Sequence, residues 1–475
     1  MEWSELLSTK KLCTDEEEPS QFADYPISEF EKDYSKIVTS AAFRRLQDKT
    51  QVFPLDKSDF IRTRLTHSLE VSTIAKQLGI MLCNNNTKYK PEDIGKKESK
   101  DIPSVLQCAG LLHDLGNPPF GHFGETIIGE WFKTNLGKLK YRNNLLKDVL
   151  KTVMQNDLIH FEGNAQTLRI LSKANHHSEI NLSYAIISTL IKYPTNSTSF
   201  STTDSDIGKH KLGYFVSENS TFDQISSVVG TKNDEGIVHR HPLTFFLEAA
   251  DDIAYSTADL EDAFKKKLFT LDEFIKYFND ELSTIGSISQ HTKYSQELIN
   301  NLKGKKDSST DKTKIFKEWV SYTRRWLMYA VTYRFSKSYN DIMNGTYTHD
   351  LFFNTNHDIT IKILKNAMNK FVFNSCGILK LELASQNILS FLLDKFVHAA
   401  LFYGDEDEKE NDILTKSDKK YMNIFSANYI ADYCDSKCSD DRMNLYLRLM
   451  MVTDYISGMT DSYARTLYRE LSGIE

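Results

Sequence analysis

The stretch LLHDLGNPPFGHFGE, residues 111–125, decides how this chain is read. Leu111 and Leu112 have the apolar character of a buried helix end. His113 and Asp114 put an imidazole nitrogen and a carboxylate oxygen on adjacent residues, so one backbone segment can offer both to a metal ion. Gly116, Asn117, Pro118 and Pro119 then break the helix, because proline has no amide hydrogen to continue it and glycine frees the backbone. Gly121 and Gly124 bracket His122 and let main chain and imidazole come close to a ligand. Glu125 follows three residues later.

Outward from this stretch, apolar residues recur at helical spacing in many segments, and there are only nine prolines and 20 glycines in 475 residues. The pattern predicts an all-α chain. A helix is expected from Thr63–Thr66 to about Cys83, another ending at His113-Asp114, and a strong one over 242–265 with Pro242 in its first turn. Residues 84–104, 194–210, 217–236 and 303–313 are polar and read as exposed connections. Residues 1–35, acidic and polar, read as an N-terminal arm. Residues 36–302 read as the core with loop insertions, and 303–475 as a C-terminal helical region packed on it.

Forty per cent hydrophobic and 26% charged residues are ordinary for a globular chain with a substantial core. A net charge of −7 argues against a protein that coats nucleic acid. The six cysteines are scattered, and the one close pair, Cys434 and Cys438, has no second Cys/His pair to complete a zinc site. There is no apolar run of about 18 residues and no signal-like segment after Met1. An intracellular, cytoplasmic protein with no membrane association is expected.

Three separated segments carry ligand chemistry: Arg64-Leu-Thr-His67, His113-Asp114, and Glu248-Ala-Ala-Asp251-Asp252-Ile-Ala-Tyr255. A lone histidine such as His67 is more often structural. An acid pair set among Ala249, Ala250, Ile253 and Ala254 is harder to dismiss, since carboxylates are seldom buried unless paired or bound to metal. Two histidines and two carboxylates suit a divalent transition ion with open positions for water or phosphate.

The order His … His-Asp … Asp resembles the HD phosphohydrolase superfamily. The segments around Arg44–Val52, Arg62–Val71, His113–Glu125, Phe161–Gln166, Glu248–Tyr255 and Asp454–Asp461 narrow the resemblance to the deoxyguanosine triphosphate triphosphohydrolase family, over nearly the whole chain. The resemblance implies an HD-domain helical bundle with additional C-terminal helices. It implies hydrolysis of a dNTP, dGTP first, to a deoxynucleoside and inorganic triphosphate. A dNTPase of broader specificity, another HD nucleotide phosphohydrolase, or an inactive nucleotide- or DNA-responsive regulator are the rival readings.

The resemblance also distributes roles. His67, His113, Asp114 and Asp251 hold a divalent metal, drawn from Mn, Mg, Fe, Co or Ni. Asp251 is preferred to Asp252 because Tyr255 and Asp259, four and eight residues on, share its helix face, whereas Asp252 lies about 100° around the helix. His122 protonates the leaving oxygen or binds the α-phosphate, and Glu125 orients and tunes it. Arg64 and Lys211 meet the phosphates. Gln51 and Asp259 bind the sugar 3′-hydroxyl, and Tyr255 packs where a 2′-hydroxyl would stand. The alternatives are a surface ion pair for Arg64, a solvated lysine for Lys211 and a core aromatic for Tyr255. Physical reasoning assigns no role to Glu162–Gln166, and Asp454–Asp461 reads as structural. A homo-oligomer, hexameric by this family's pattern, and a nucleotide or single-stranded DNA effector complete the implied picture.

Overall fold

The computed structural model describes residues 1–13, 27–53, 61–84, 91–173, 180–285, 290–373, 376–405 and 413–474. Among these, the regular structure is helical except for a two-stranded hairpin pairing Lys140–Tyr141 with Asn144–Leu145. The all-α expectation holds.

The helix Arg64–Cys83 starts where capping chemistry places it. The Thr66 amide donates to the Thr63 hydroxyl, and the Thr63 amide donates to Thr66 Oγ1 at 2.9 Å. This reciprocal cap satisfies amides that the first turn cannot pair internally. The helix packs along Glu98–Leu112. The two approach so closely that a Cβ at Gly110 would stand 2.5 Å from the Ser72 Cα. The helix Pro242–Lys265 lies against the first of these, with Pro242 in its first turn and the His241 ring accepting the Leu243 amide at 3.1 Å. It is buried along most of its length, the acids Asp259, Glu261 and Asp262 included.

Two of the expected connections contain helices. Glu98–Leu112 begins inside the segment read as exposed and accommodates Pro103; its first turn is polar, with Glu98 and Asp101 at the positive end of the helix dipole. Asn219–Val228 lies within the polar stretch 217–236, where the surface-facing serines and threonines hide the buried Phe222 and Ile225. Much of the acidic loop after Gly404 lies outside the described residues.

The hydrophobic interior forms two clusters. One gathers Trp3 and Leu6, Phe30, the helices Arg64–Cys83, Glu98–Leu112 and Pro242–Lys265, and the chain on to Ile378. The other gathers the helix Gly121–Asn135 with Leu158 and Phe161 and the C-terminal helices Cys376–Ala400, Asp441–Ser457 and Asp461–Ser472. Residues 1–13 therefore pack on the body: the Trp3 indole donates to the Tyr339 hydroxyl at 2.7 Å and the Met1 amine to the Met343 carbonyl at 3.0 Å. The helix Lys312–Lys337 belongs with the first cluster. The chain first passes from one cluster to the other between Leu115 and Phe120, inside the Gly-Asn-Pro-Pro turn, and passes between them again near Ala165–Leu168, Leu212–Phe215 and Ile378–Ile388. Among the described residues no single helix is long and apolar enough to cross a membrane.

Candidate active site

His67 sits one turn into Arg64–Cys83, His113 caps Glu98–Leu112, and Asp251 lies mid-way along Pro242–Lys265. Their helix packing brings one ligand atom from each within 4.8 Å of the others. His67 Nε2 is 3.3 Å from Asp251 Oδ1, and His113 Nε2 is 3.5 Å from the same oxygen. His113 Nδ1 donates to the Gly110 carbonyl at 2.9 Å, which leaves an Nε2 lone pair aimed at the carboxylates. That buried nitrogen has no hydrogen-bond partner among the described residues. An orphaned imidazole nitrogen beside carboxylate oxygens is a donor set that fits a divalent transition ion.

Asp114 stands beside the cluster, its Oδ2 3.5 Å from His113 Nε2. Both its oxygens are engaged: Oδ2 pairs with the Arg64 guanidinium and Oδ1 accepts from the Asn117 side-chain amide at 2.6 Å. Arg64 is buried, so it is not the surface ion pair of the alternative reading. Asp252 pairs with Lys365, 2.7 Å distant, while it too lines the space beside Asp251. Asp251 instead keeps its second oxygen 3.1 Å from the Lys192 ammonium. Sequence reasoning missed Lys192; its only signal is a cation closing the apolar run Tyr184–Ile191.

Charge is strongly organised here. Burial opposes ionisation of Asp251, but Lys192, His113 and His67 outweigh it and hold the carboxyl well below its ordinary range. Asp114 is lowered in the same way, burial being overcome by Arg64. Burial dominates at His113 and lowers it, keeping the neutral imidazole that a metal needs. Asp259, buried behind His67, is pushed up to about 7 by burial.

His122 begins the next helix, Gly121–Asn135. Its Nδ1 lies 2.7 Å from Glu125 Oε2, and 75% of its side chain is exposed, so Nε2 faces open space. Glu125 is buried, and its other oxygen accepts the Gly163 amide at 2.8 Å. Hydrogen bonding and charge from Glu125 raise the His122 pKa above its ordinary value. The structure gives the Glu162–Gln166 segment a role. Gly163 braces the acid, Glu162 pairs with Lys211 at 3.1 Å, and Gln166 donates to Asp454 at 2.8 Å. A Cβ at Gly163 would stand 2.1 Å from Asn117 Oδ1, so a larger residue would displace the Asn117 side chain from its contact with Asp114.

A cavity of about 610 Å³ opens over these groups. Gln51, Arg64, Asp114, His122, Lys211, Asp251 and Tyr255 all line it, with Lys192 and Phe373. His67, His113 and Asp259 are buried behind its wall, and Glu125 behind His122. The Tyr255 ring stacks near Phe373, centroids 6.3 Å apart. The size suits a nucleotide, and the wall combines cations, carboxylates and aromatic faces. Such an arrangement can hold a polyphosphate beside a metal and deliver a proton from the opposite side.

The HD-domain profile matches residues 64–183, which include His67, His113, Asp114, His122 and Glu125 but stop short of Asp251. The chain is 40% identical, over 100% of both chains, to a deoxyguanosinetriphosphate triphosphohydrolase-like protein of Listeria innocua. It is 33% identical, again over the full length of both, to a protein of the same name from Synechocystis. It is 31% identical, over 94% of each chain, to a deoxyguanosinetriphosphate triphosphohydrolase of an Enterobacter species.

Proposed function

The chain belongs to the deoxyguanosinetriphosphate triphosphohydrolase family of HD-domain hydrolases, and from that premise we propose that it is a metal-dependent dNTP triphosphohydrolase with dGTP as its preferred substrate. The observation that carries the reading is that His122, held by Glu125, lines the same cavity as Asp251, whose carboxylate meets the His67 and His113 ligand atoms.

His67, His113, Asp114 and Asp251 would hold the divalent ion, which when bound lowers the pKa of water and neutralises phosphate charge. Arg64, Lys192 and Lys211 line the cavity as the cations for a triphosphate. Water adds to the α-phosphorus and the bond from that phosphorus to the sugar 5′-oxygen breaks. The proton leaves His122 Nε2 for that oxygen, giving a deoxynucleoside and inorganic triphosphate. Glu125 stabilises the imidazolium before transfer and fixes the ring so that Nε2 faces the substrate. Gln51 serves the sugar 3′-hydroxyl from the cavity wall, with Asp259 behind it. Tyr255, backed by Phe373, fills the space that a 2′-hydroxyl needs, so ribonucleotides are refused by a clash.

The same membership supports a cytoplasmic homo-oligomer, hexameric in this reading, tuned by a nucleotide or single-stranded DNA. Chromatographic product analysis with all four dNTPs and a divalent metal, with and without a second nucleotide and single-stranded DNA, tests the whole reading. Release of triphosphate with a deoxynucleoside supports it; pyrophosphate, or no product under any condition, rejects it.

A further inference from the structure

Lys49 is buried, at 3% exposure, and no carboxylate lies within ion-pair distance of it among the described residues. Its ammonium donates to two main-chain carbonyls, Asn117 at 2.6 Å and Ser457 at 2.7 Å. Its own carbonyl accepts the Arg64 amide at 3.0 Å. Three separate segments therefore meet on one residue: the start of the helix carrying Arg64 and His67, the turn after His113-Asp114, and the end of the C-terminal helix Asp441–Ser457.

Each of those contacts leads to a reacting group. Asn117, held by its carbonyl, uses its side chain to grip Asp114 Oδ1. Arg64, held by its amide, pairs with Asp114 Oδ2. The neighbouring residue, Thr50, donates its amide at 3.0 Å to Asp461, whose other oxygen accepts the Phe120 amide at 3.0 Å. Phe120 has a left-handed backbone, φ 64°, unfavourable for a bulky side chain, and it directly precedes the Gly121-His122 start of the next helix. A buried amine is costly unless its hydrogen bonds are made, so a lysine placed here fixes the distance between the carbonyls it bridges.

We propose that Lys49 is a positioning residue for the hydrolytic site, a strut between the C-terminal helix and the Asn117–Phe120 turn that sets Asp114 and His122 in register. The inference rests on the reading of the site given above. It assigns Lys49 no contact with substrate: the residue is absent from the lining of the 610 Å³ cavity. It does line a smaller cavity of about 120 Å³ behind the turn, together with Arg45, Gln166 and Tyr429. That cavity gives a small molecule a way to reach the place of the ammonium.

Chemical rescue follows from this. Lys49→Ala lowers kcat by about 10- to 100-fold, the range typical of losing a group that orients a metal-site residue, while KM for dGTP stays within about threefold. Ethylamine or propylamine, entering the small cavity, restores kcat with saturation, and propanol does not. Mn(II) affinity, read by electron paramagnetic resonance without substrate, weakens by about tenfold and recovers with the amine. Lys49→Met supplies a second variant of similar volume if the alanine protein folds poorly. Unchanged kcat in a folded variant, or equal rescue by propanol, overturns the proposal. Because the Mn(II) readout uses no nucleotide, the strut can be judged even where wild-type protein releases no triphosphate.

Discussion

Glu125 holds the His122 ring by Nδ1 at 2.7 Å while its other oxygen is itself held by the Gly163 amide at 2.8 Å. A buried carboxylate is thus fixed at both ends, and the exposed imidazole it controls has one orientation. The proton on Nε2 faces the cavity where Asp251 and Arg64 also stand.

The pH profile reports this pair. Glu125 raises the His122 pKa, so the imidazolium that donates the proton persists to a higher pH than an ordinary histidine allows. Activity is lost as pH rises through that raised value. Glu125→Gln removes the charge, and the alkaline limb of kcat against pH moves to lower pH. A limb that stays in place assigns it to another group.

Lys192 makes a prediction of opposite sign for two measurements. Its ammonium lies 3.1 Å from Asp251 and repels any cation bound there. Lys192→Met should bind Mn(II) more tightly by about tenfold in calorimetry at low salt. The same variant should show a raised KM, because a cation of the cavity wall is gone. Weaker Mn(II) binding would mean that Lys192 orients Asp251 more than it competes with the metal.

Gly163→Ala tests the closeness of the turn and the brace behind Glu125. The added methyl would meet Asn117 Oδ1 at 2.1 Å and Glu125 Oε1 at 2.7 Å. A stability loss of about 1–3 kcal/mol is expected by denaturant titration, with kcat falling as Glu125 shifts. Gly304→Ala, where nothing lies within 4 Å of the new methyl, serves as the control and leaves both unchanged or slightly stabilises the helix.

Tyr255 should set sugar discrimination. Tyr255→Ala opens the wall where the 2′-hydroxyl stands, and the ratio of kcat/KM for dGTP over GTP should narrow by about tenfold or more. The readout is competition between the two nucleotides in one reaction. A ratio that does not move removes Tyr255 from the specificity determinants.

Lys49 has a signature in stability. Burial is the main cause that pushes its pKa down to about 7 in the folded protein, against an ordinary value near 10.4. Between these values the unfolded chain binds more protons than the folded one, so this group makes stability rise with pH, by up to about 1.4 kcal/mol per unit. The neutral amine keeps N–H donors for both carbonyls. Lys49→Met should flatten that slope between about pH 7.5 and 10 in urea titrations.

The sequence made the ligand-bearing helices legible because their caps are local: Thr63 before Arg64, Pro242 after His241, the Gly-Asn-Pro-Pro break after Asp114. The choice of Asp251 over Asp252 was open to helical geometry, and the two side chains do diverge, one to the imidazoles and one to Lys365. Lys192, Lys49 and Asp461 were not legible in that way. Each acts across more than fifty residues of chain, through partners that only tertiary packing supplies. The first turns of the helix Glu98–Leu112 and the helix Asn219–Val228 were obscured for a different reason: their exposed faces are polar enough to read as loop. Asp259 is buried and does not itself line the cavity, and burial pushes its carboxyl up to about 7.

The chain first crosses the seam between the two hydrophobic clusters at Leu115–Phe120. His67, His113 and Asp251 stand on helices of the first cluster, and His122 stands on a helix of the second. Loading and turnover are separable properties of such a molecule. A lesion in the second cluster that spares the Lys49–Ser457 contact can leave the ion in place and idle the reaction by shifting His122 a fraction of an ångström. Damage that unpacks the helices carrying His67, His113 and Asp251 removes the donor set itself. Sorting inactive variants by whether they still retain metal would thus map the seam without a further structure.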